Sequence, residues 1–304
     1  MGCNTCKTKP VIELINKDTK LCKKCFIRYF EKKVKKTIRN YNLIKSGDHI
    51  GVGVSGGKDS LTTLYLINEI TKNNPKIKLS AILINEGIDN YREKTIKTAQ
   101  EFCNKLNINL NIYSYKEEFG KKLDEVIKGK HACSVCGVLR RNLLNKYARE
   151  NKVTKLATGH NMDDETQSIL MNQFKNNIRV SARLGPITGI RDNPKFVRRI
   201  KPLYFVTEKE VATYAFLKGF LDKFTECPNN SDSFRNKVRD LINEFENKFP
   251  GTKHNIINSF IETLPLLKKE YSKNSHEIIE CKTCGEPCSQ NICRACQTIE
   301  IKFQ

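Results

Sequence analysis

The stretch Ile50-Gly51-Val52-Gly53-Val54-Ser55-Gly56-Gly57-Lys58-Asp59-Ser60 passes from an apolar strand through a double-glycine turn into the start of a helix. That order has a chemical meaning. Glycines let backbone N–H groups approach an anion closely, and a helix N-terminus adds unpaired donors and the positive end of the aligned peptide dipoles. Gly53, Ser55, Gly56, Gly57, Lys58, Asp59 and Ser60 are therefore candidate phosphate-binding residues, with Lys58 supplying a cation.

The P-loop of kinases and GTPases, G-x4-G-K-[ST], does not fit. Val52 stands five residues before Gly57, and Asp59 follows Lys58 in place of Ser or Thr. A carboxylate at that spot would meet phosphates through Mg²⁺. Residues 55–60 instead resemble the signature of the PP-loop, or N-type, ATP pyrophosphatases, whose members cleave ATP between the α and β phosphates to adenylate a substrate. A second segment agrees: Thr158-Gly159-His160-Asn161-Met162-Asp163-Asp164-Glu165 resembles that family's G-H-x-x-D-D element. Carboxylates at the start of a helix cap it and can hold Mg²⁺ beside a nucleotide, which adds Gly159, Asp163 and Asp164 to the candidates. A plain acidic cap would explain one Asp equally well.

Outward from the loop, short apolar strands alternate with amphipathic helices. Strands are predicted over 50–54, 79–84, 110–113 and 155–158, and helices over 60–70, 91–106, 138–149 and 163–174. Such alternation implies parallel pairing through right-handed crossovers. The expected fold class is α/β, a doubly wound, Rossmann-like parallel sheet of the PP-loop ATPase type with small zinc ribbons at both termini. Beyond Gly185-Pro186 the chain reads as mainly helical, over 209–217, 234–249 and 254–269. The expected division is a zinc ribbon at 1–26, a basic linker helix at 27–48, a catalytic domain with a helical C-terminal part at 49–272, and a second ribbon at 273–304. No run approaches the ~18 apolar residues of a membrane span, and the N-terminus lacks the apolar core of a signal peptide. A cytoplasmic chain with no membrane partner is expected.

The 13 cysteines in such a compartment argue for metal and against a disulfide framework. Cys3-x2-Cys6 and Cys22-x2-Cys25, 15 residues apart, have the spacing of a structural zinc ribbon. Cys281-x2-Cys284 and Cys293-x2-Cys296 repeat it with a connection of eight residues, leaving Cys288 as the spare. Four thiolates close a tetrahedral Zn²⁺ site, and closed sites are structural. Cys133-x2-Cys136 has no second pair; its remaining partner is Cys227. Three thiolates leave a coordination position open, which marks a reactive site. Spacing alone leaves three readings: a 4Fe-4S cluster with one open iron, a metal-free persulfide on Cys133 or Cys136 resolved by Cys227, or a zinc site completed by water or His131.

Taken as a set, these elements resemble the tRNA 2-thiouridine synthetases of the PP-loop superfamily. The likeness spans nearly the whole chain: both ribbons, residues 55–60, Cys133-x2-Cys136-Gly137 with Arg140-Arg141, Gly159-His160-Asn161-x-Asp163-Asp164, and Glu226-Cys227. The resemblance implies that Cys133, Cys136 and Cys227 hold an iron-sulfur cluster. It further implies that ATP adenylates the C2 oxygen of a uridine, and that sulfur then displaces AMP without net electron transfer. Asp59 and Asp164 would serve Mg²⁺ or the local electrostatics, and Arg140 the α-phosphate region. One branch of the family thiolates position 34 and another position 54. The run Cys136-Gly137-Val138-Leu139-Arg140-Arg141 looks more like the first, while Cys227-Pro228 and Leu241-Ile242-Asn243 look closer to the second, and position 34 is favoured. Free sulfide, a persulfide and a ubiquitin-like thiocarboxylate carrier all suit the role of sulfur donor, and the ribbons offer surfaces for a homodimer. A different PP-loop adenylating ligase, or a zinc-ribbon RNA-binding adaptor, are the competing classes.

The charge agrees with a nucleic-acid partner. Fifty-four Lys+Arg stand against 33 Asp+Glu, a formal net charge of +21. Metal thiolate sites would take up part of it and leave the chain strongly basic. Phe26, Phe30, Val34, Ile38 and Tyr41 recur at helical spacing, with Arg28, Lys32, Lys33, Lys35, Lys36 and Arg39 between them, so this helix and the segment Arg191 to Lys201 are candidate contacts for a tRNA backbone.

Overall fold

The computed structural model describes residues 2–14, 18–127, 132–190, 192–220, 227–229, 234–273 and 278–299. His131, Arg191 and Glu226, named above, lie outside the described residues. Strands β1 (Ile12–Leu14) and β2 (Thr19–Leu21) form an antiparallel pair between the first two cysteine knuckles, and helix α1 (Lys23–Asn40) follows directly. Next come β3 (His49–Gly53), α2 (Lys58–Thr71), β4 (Lys78–Asn85), α3 (Arg92–Lys105) and β5 (Leu110–Ser114). Two short helices, α4 (Tyr115–Phe119) and α5 (Leu123–Val126), lead to α6 (Ala132–Glu150). Then β6 (Lys155–Ala157), α7 (Met162–Phe174), α8 (Ile178–Ser181) and β7 (Arg198–Ile200) complete the sheet. Helices α9 (Glu208–Lys218), α10 (Phe234–Lys248) and α11 (Thr252–Lys273) precede the terminal unit of β8 (Ile279–Glu280), β9 (Pro287–Cys288) and α12 (Arg294–Ile299).

The main sheet has the order β5-β4-β3-β6-β7, and its four pairings are all parallel. This is the doubly wound arrangement expected from the alternating pattern. Period-2 side-chain alternation divides the core between the two faces. In β4, Ala81 and Leu83 join a buried cluster with Phe26 and Phe30 of α1, Leu61 and Leu64 of α2, and Tyr214 of α9. Ile82 and Ile84 join the opposite cluster with Leu139 and Leu143 of α6 and Cys281 and Cys296 of the terminal unit. A third cluster packs Met162 and Ile169 of α7 against Tyr204 and against Ile257 and Phe260 of α11. Among the described residues no helix is long and apolar enough to cross a membrane.

Three local readings differ from the sequence pattern. Strand β7 sits inside a stretch read only as basic, because three residues with two arginines carry no apolar run; its pairing with β6 is a tertiary fact. Helix α6 begins at Ala132 rather than 138, so Cys133 and Cys136 share a helical face at i and i+3. Helix α1 starts inside the ribbon, with Cys25 already helical. Its cationic face is also not wholly solvated. Lys33 is paired with Glu210 of α9 at 2.9 Å and Glu31 with Lys218 at 3.3 Å, while Arg28, Lys32, Lys35, Lys36 and Arg39 remain exposed.

Candidate functional site

The turn after β3 and the turn after β6 leave the sheet side by side. Gly56 has φ +83°, a left-handed conformation that glycine adopts without strain, and a Cβ there would lie 2.2 Å from the Thr95 carbonyl oxygen. The Ser60 hydroxyl braces the loop: its Oγ accepts from Ser55 N at 3.1 Å and donates to the Gly57 carbonyl at 2.9 Å. Gly57 caps α2 with no side-chain acceptor, so the first amides of the helix are left for an anion. Gly159 presses on the same place; a Cβ there would stand 2.8–2.9 Å from the backbone of Asp59 and Ser60. Lys58 Nζ lies 3.1 Å from Asp59 and 2.9 Å from Glu208. Burial alone would lower the Lys58 pKa, but these two carboxylates outweigh it and the net shift is upward.

The acidic element is organised by Asn161. Its side chain accepts from the amides of Asp163 and Asp164, at 2.9 and 3.2 Å, and donates to Asp59 Oδ1 at 3.0 Å. Asp164 and Asp59 thereby come to face the same space. Burial, followed by the charge of Asp59, pushes the Asp164 carboxyl up to about 7. Two carboxylates held together in this way make a site that a divalent cation would relieve, and the donor set fits Mg²⁺. Asp163 is placed differently. It is buried, receives Lys253 Nζ, and accepts from the Glu208 amide at 2.7 Å, which ties α7 to α9 and α11.

Cys133, Cys136 and Cys227 also converge. The turn carrying Cys227 lies against the start of α6, with Cys133 Sγ donating to the Asn229 carbonyl at 3.5 Å. Tyr115 Oη donates to the Cys136 carbonyl at 2.9 Å. Burial raises the pKa of both Cys136 and Cys227; Arg140 opposes the rise in each, and each thiol feels a second member of the triad. Among the described residues, the sulfurs that close to within 4.8 Å of one another belong to Cys3, Cys6, Cys22 and Cys25 and to Cys281, Cys284, Cys293 and Cys296. Those two sets fit single tetrahedral ions. Cys133, Cys136 and Cys227 do not close to that distance, and three thiolates held further apart suit a polynuclear cluster better than a single tetrahedral ion. Cys288 stands outside its set and donates to the Gln290 carbonyl at 2.8 Å.

Side chains that no motif singles out join the loop to the triad. Glu86, at the end of β4, and Arg92, at the start of α3, form a buried pair at 2.7 Å with exposures of 3% and 4%. Arg92 donates to the Ser55 carbonyl at 2.8 Å and also to the Ile84 carbonyl. Glu86 then reaches Arg140 at 3.6 Å, beside the cysteines. Arg235 bonds Gln167 at 2.9 Å and Ser168 at 3.2 Å and lies 3.9 Å from Asp164. Burial and the charges of Arg199, Arg140 and Arg235 lower the Arg141 guanidinium to about 10. Burial, Lys201 and the same arginines hold His160 well below the usual imidazole range. This concentration of positive charge suits an anionic ligand.

The family profile for the PP-loop domain matches residues 27–245. The chain is 34% identical over 316 residues to the tRNA 2-thiolation protein NcsA of Haloferax volcanii, covering 99% of this chain and 98% of that protein. It is 36% identical over 302 residues to the tRNA-5-methyluridine(54) 2-sulfurtransferase of Pyrococcus horikoshii, covering 99% and 94%. A solved structure, the U34-tRNA thiolase NcsA from Methanococcus maripaludis with its [4Fe-4S] cluster, superposes with a TM-score of 0.84 at 35% identity over 99% of this chain and 96% of that one.

Proposed function

The chain belongs to the PP-loop family, and on that premise we propose that it is an ATP-dependent tRNA 2-sulfurtransferase acting on the wobble uridine, position 34. The observation that supports the reading is the chain of contacts Ser55–Arg92–Glu86–Arg140, which links the candidate phosphate loop to the helix that carries Cys133 and Cys136. An adenylating ligase needs the first and not the second. An RNA-binding adaptor needs neither.

The C2 oxygen of uridine is a poor leaving group. Its attack on the α-phosphorus of ATP forms a C2–O–P bond, releases pyrophosphate and converts that oxygen to AMP. Sulfide then forms the C2–S bond as the C–O bond breaks, with no net oxidation or reduction. The amides of Gly57 to Asp59 and Lys58 hold the pyrophosphate; Asp59 and Asp164 would hold Mg²⁺; Arg140 meets the α-phosphate. Cys133, Cys136 and Cys227 would hold the cluster, which when bound supplies an open iron able to carry sulfide and act as a Lewis acid. Confining both reacting groups between the loop and the triad removes the entropy of a bimolecular encounter. The cysteine sets at the two ends would each hold a structural Zn²⁺.

The test is mass spectrometry of tRNA nucleosides, mapped by position, from cells lacking this gene. Loss of 2-thiouridine at 34 supports the assignment. Loss confined to position 54 moves it to the T-loop branch, to which a 36%-identical relative belongs. Unchanged 2-thiolation at both positions refutes the reading. Supplying sulfide, a persulfide or a thiocarboxylate carrier to the anaerobic enzyme identifies the donor.

A further inference from the structure

The end of α7, helix α8 and the start of α10 form one face beside the site. It exposes Phe174 (57%) and Phe234 (43%), large apolar rings left in water. Residues 174–183 carry Lys175, Arg179 and Arg183 with no acid, and residues 234–239 carry Arg235, Lys237 and Arg239, the last of them paired with Asp240 at 3.5 Å. The two segments meet where Lys175 Nζ stands 4.4 Å from the Phe234 ring centroid. Arg235, the next residue, reaches Asp164, so the face is continuous with the carboxylate pair. Exposed aromatic rings set among cations are the equipment for unpaired RNA, because every base has a π-face and every nucleotide a phosphate. A duplex offers the phosphates but keeps its bases stacked.

We propose that this face receives the single-stranded loop of the substrate tRNA, with Phe174 and Phe234 stacking on unpaired bases of that loop a few nucleotides from the target uridine and Arg141 and Arg235 drawing the adjoining phosphates toward the site. This rests on the tRNA reading above and adds the surface by which the loop enters. Phe174 lies at the last position of α7 and is more than half exposed, so its truncation opens no core cavity.

The experiment uses the anaerobically prepared holoprotein and fluorescence anisotropy with two probes: an unmodified tRNA transcript and a blunt RNA duplex without a loop. ATP binding is followed separately by calorimetry. Phe174→Ala and Phe234→Ala should each weaken tRNA binding by about 10-fold while leaving duplex and ATP binding unchanged. Phe174→Tyr and Phe234→Tyr should restore tRNA affinity, since the ring is what matters. Arg141→Gln should weaken both probes and reduce the slope of log K against log salt by about 1. If the wild-type chain binds tRNA and both alanine variants bind it equally well, the inference is overturned and the function stands. A wild-type chain with no affinity for tRNA refutes the function, and the inference with it. Variants that keep tRNA affinity yet lose thiolation only with a protein sulfur donor would assign the face to that protein and also overturn the inference.

Discussion

Replacing Arg92 by Met tests the Glu86–Arg92 pair as the joint of the site. The pair is closed at 2.7 Å, with both residues under 5% exposed, and the guanidinium also serves the carbonyls of Ser55 and Ile84. Removing one partner of a buried ion pair costs about 3–5 kcal/mol, because the other charge stays buried and unpaired. The lost charged hydrogen bonds belong to the same removal and do not add to that figure. Arg140 cannot take over the role. It stands 3.6 Å from Glu86 and is 46% exposed, so solvent screens its charge more than that of the buried Arg92. The double variant Glu86→Leu with Arg92→Met removes both charges and should recover at least half of the loss. Urea unfolding measures both variants, against a total stability of about 5–15 kcal/mol. Nucleotide affinity should behave differently: neither variant has a donor on the Ser55 carbonyl, so ATP binding should stay weak even where stability returns. An Arg92→Met variant within about 1 kcal/mol of the parent would falsify the role given to the pair.

Gly159→Ala should weaken ATP binding and cost about 1–3 kcal/mol, because its Cβ meets the backbone of Asp59 and Ser60 at 2.8–2.9 Å; Gly137→Ala meets only the flexible end of Arg141 at 3.1 Å and should be tolerated in the same unfolding assay. In metal-free buffer, the contribution of the Asp164 carboxyl is full below its ordinary value of 3.8 and is lost as pH rises through about 7, since the folded state holds that proton longer than the unfolded state does. Asp164→Asn should therefore flatten the stability profile between those limits, and an unchanged profile would exclude the shift. Chelation of Zn²⁺ should lower the melting temperature of the catalytic core itself, because Cys3, Leu14, Leu21 and Cys22 share a buried cluster with Phe26, Phe30 and Leu61; a transition untouched by chelator would mean that the ribbon sulfurs carry no structural metal.

Residues that act through the backbone were legible in the sequence. Gly56, Gly57 and Lys58 sit on a strand-to-helix turn, and that local context fixes what they can do. The cysteines were legible for a related reason, since two residues between ligands set a knuckle whatever surrounds it. Glu86 and Arg92 were not. Each sits far from any motif, and a Glu after an apolar strand reads as a solvated turn until the fold buries it against a guanidinium. Asp163 and Asp164 read as equivalent neighbours. Successive helical positions point about 100° apart, however, so one carboxylate meets Lys253 and the other meets Asp59.

The sheet order explains why the two chemistries meet. Strand β3 has β4 on one side and β6 on the other, so the connections leaving β3 and β6 diverge and open a crevice at their C-terminal ends. The phosphate loop follows β3, Gly159 and His160 follow β6, and Glu86 follows β4: three adjacent strand ends supply the nucleotide side of the site. The cysteines arrive by another route. Cys133 and Cys136 ride on the first turns of α6, whose position is set by packing of Leu139 and Leu143 against Ile82 and Ile84 on one face of the sheet. Cys227 comes from a turn beyond the last strand of the main sheet. The strand ends alone would make a general adenylating site, and the same sheet with a different helix before β6 would retain it. On the proposed function, sulfur transfer would be carried by α6 and the turn at 227–229, and the Glu86–Arg140 contact is where those elements meet the phosphate loop.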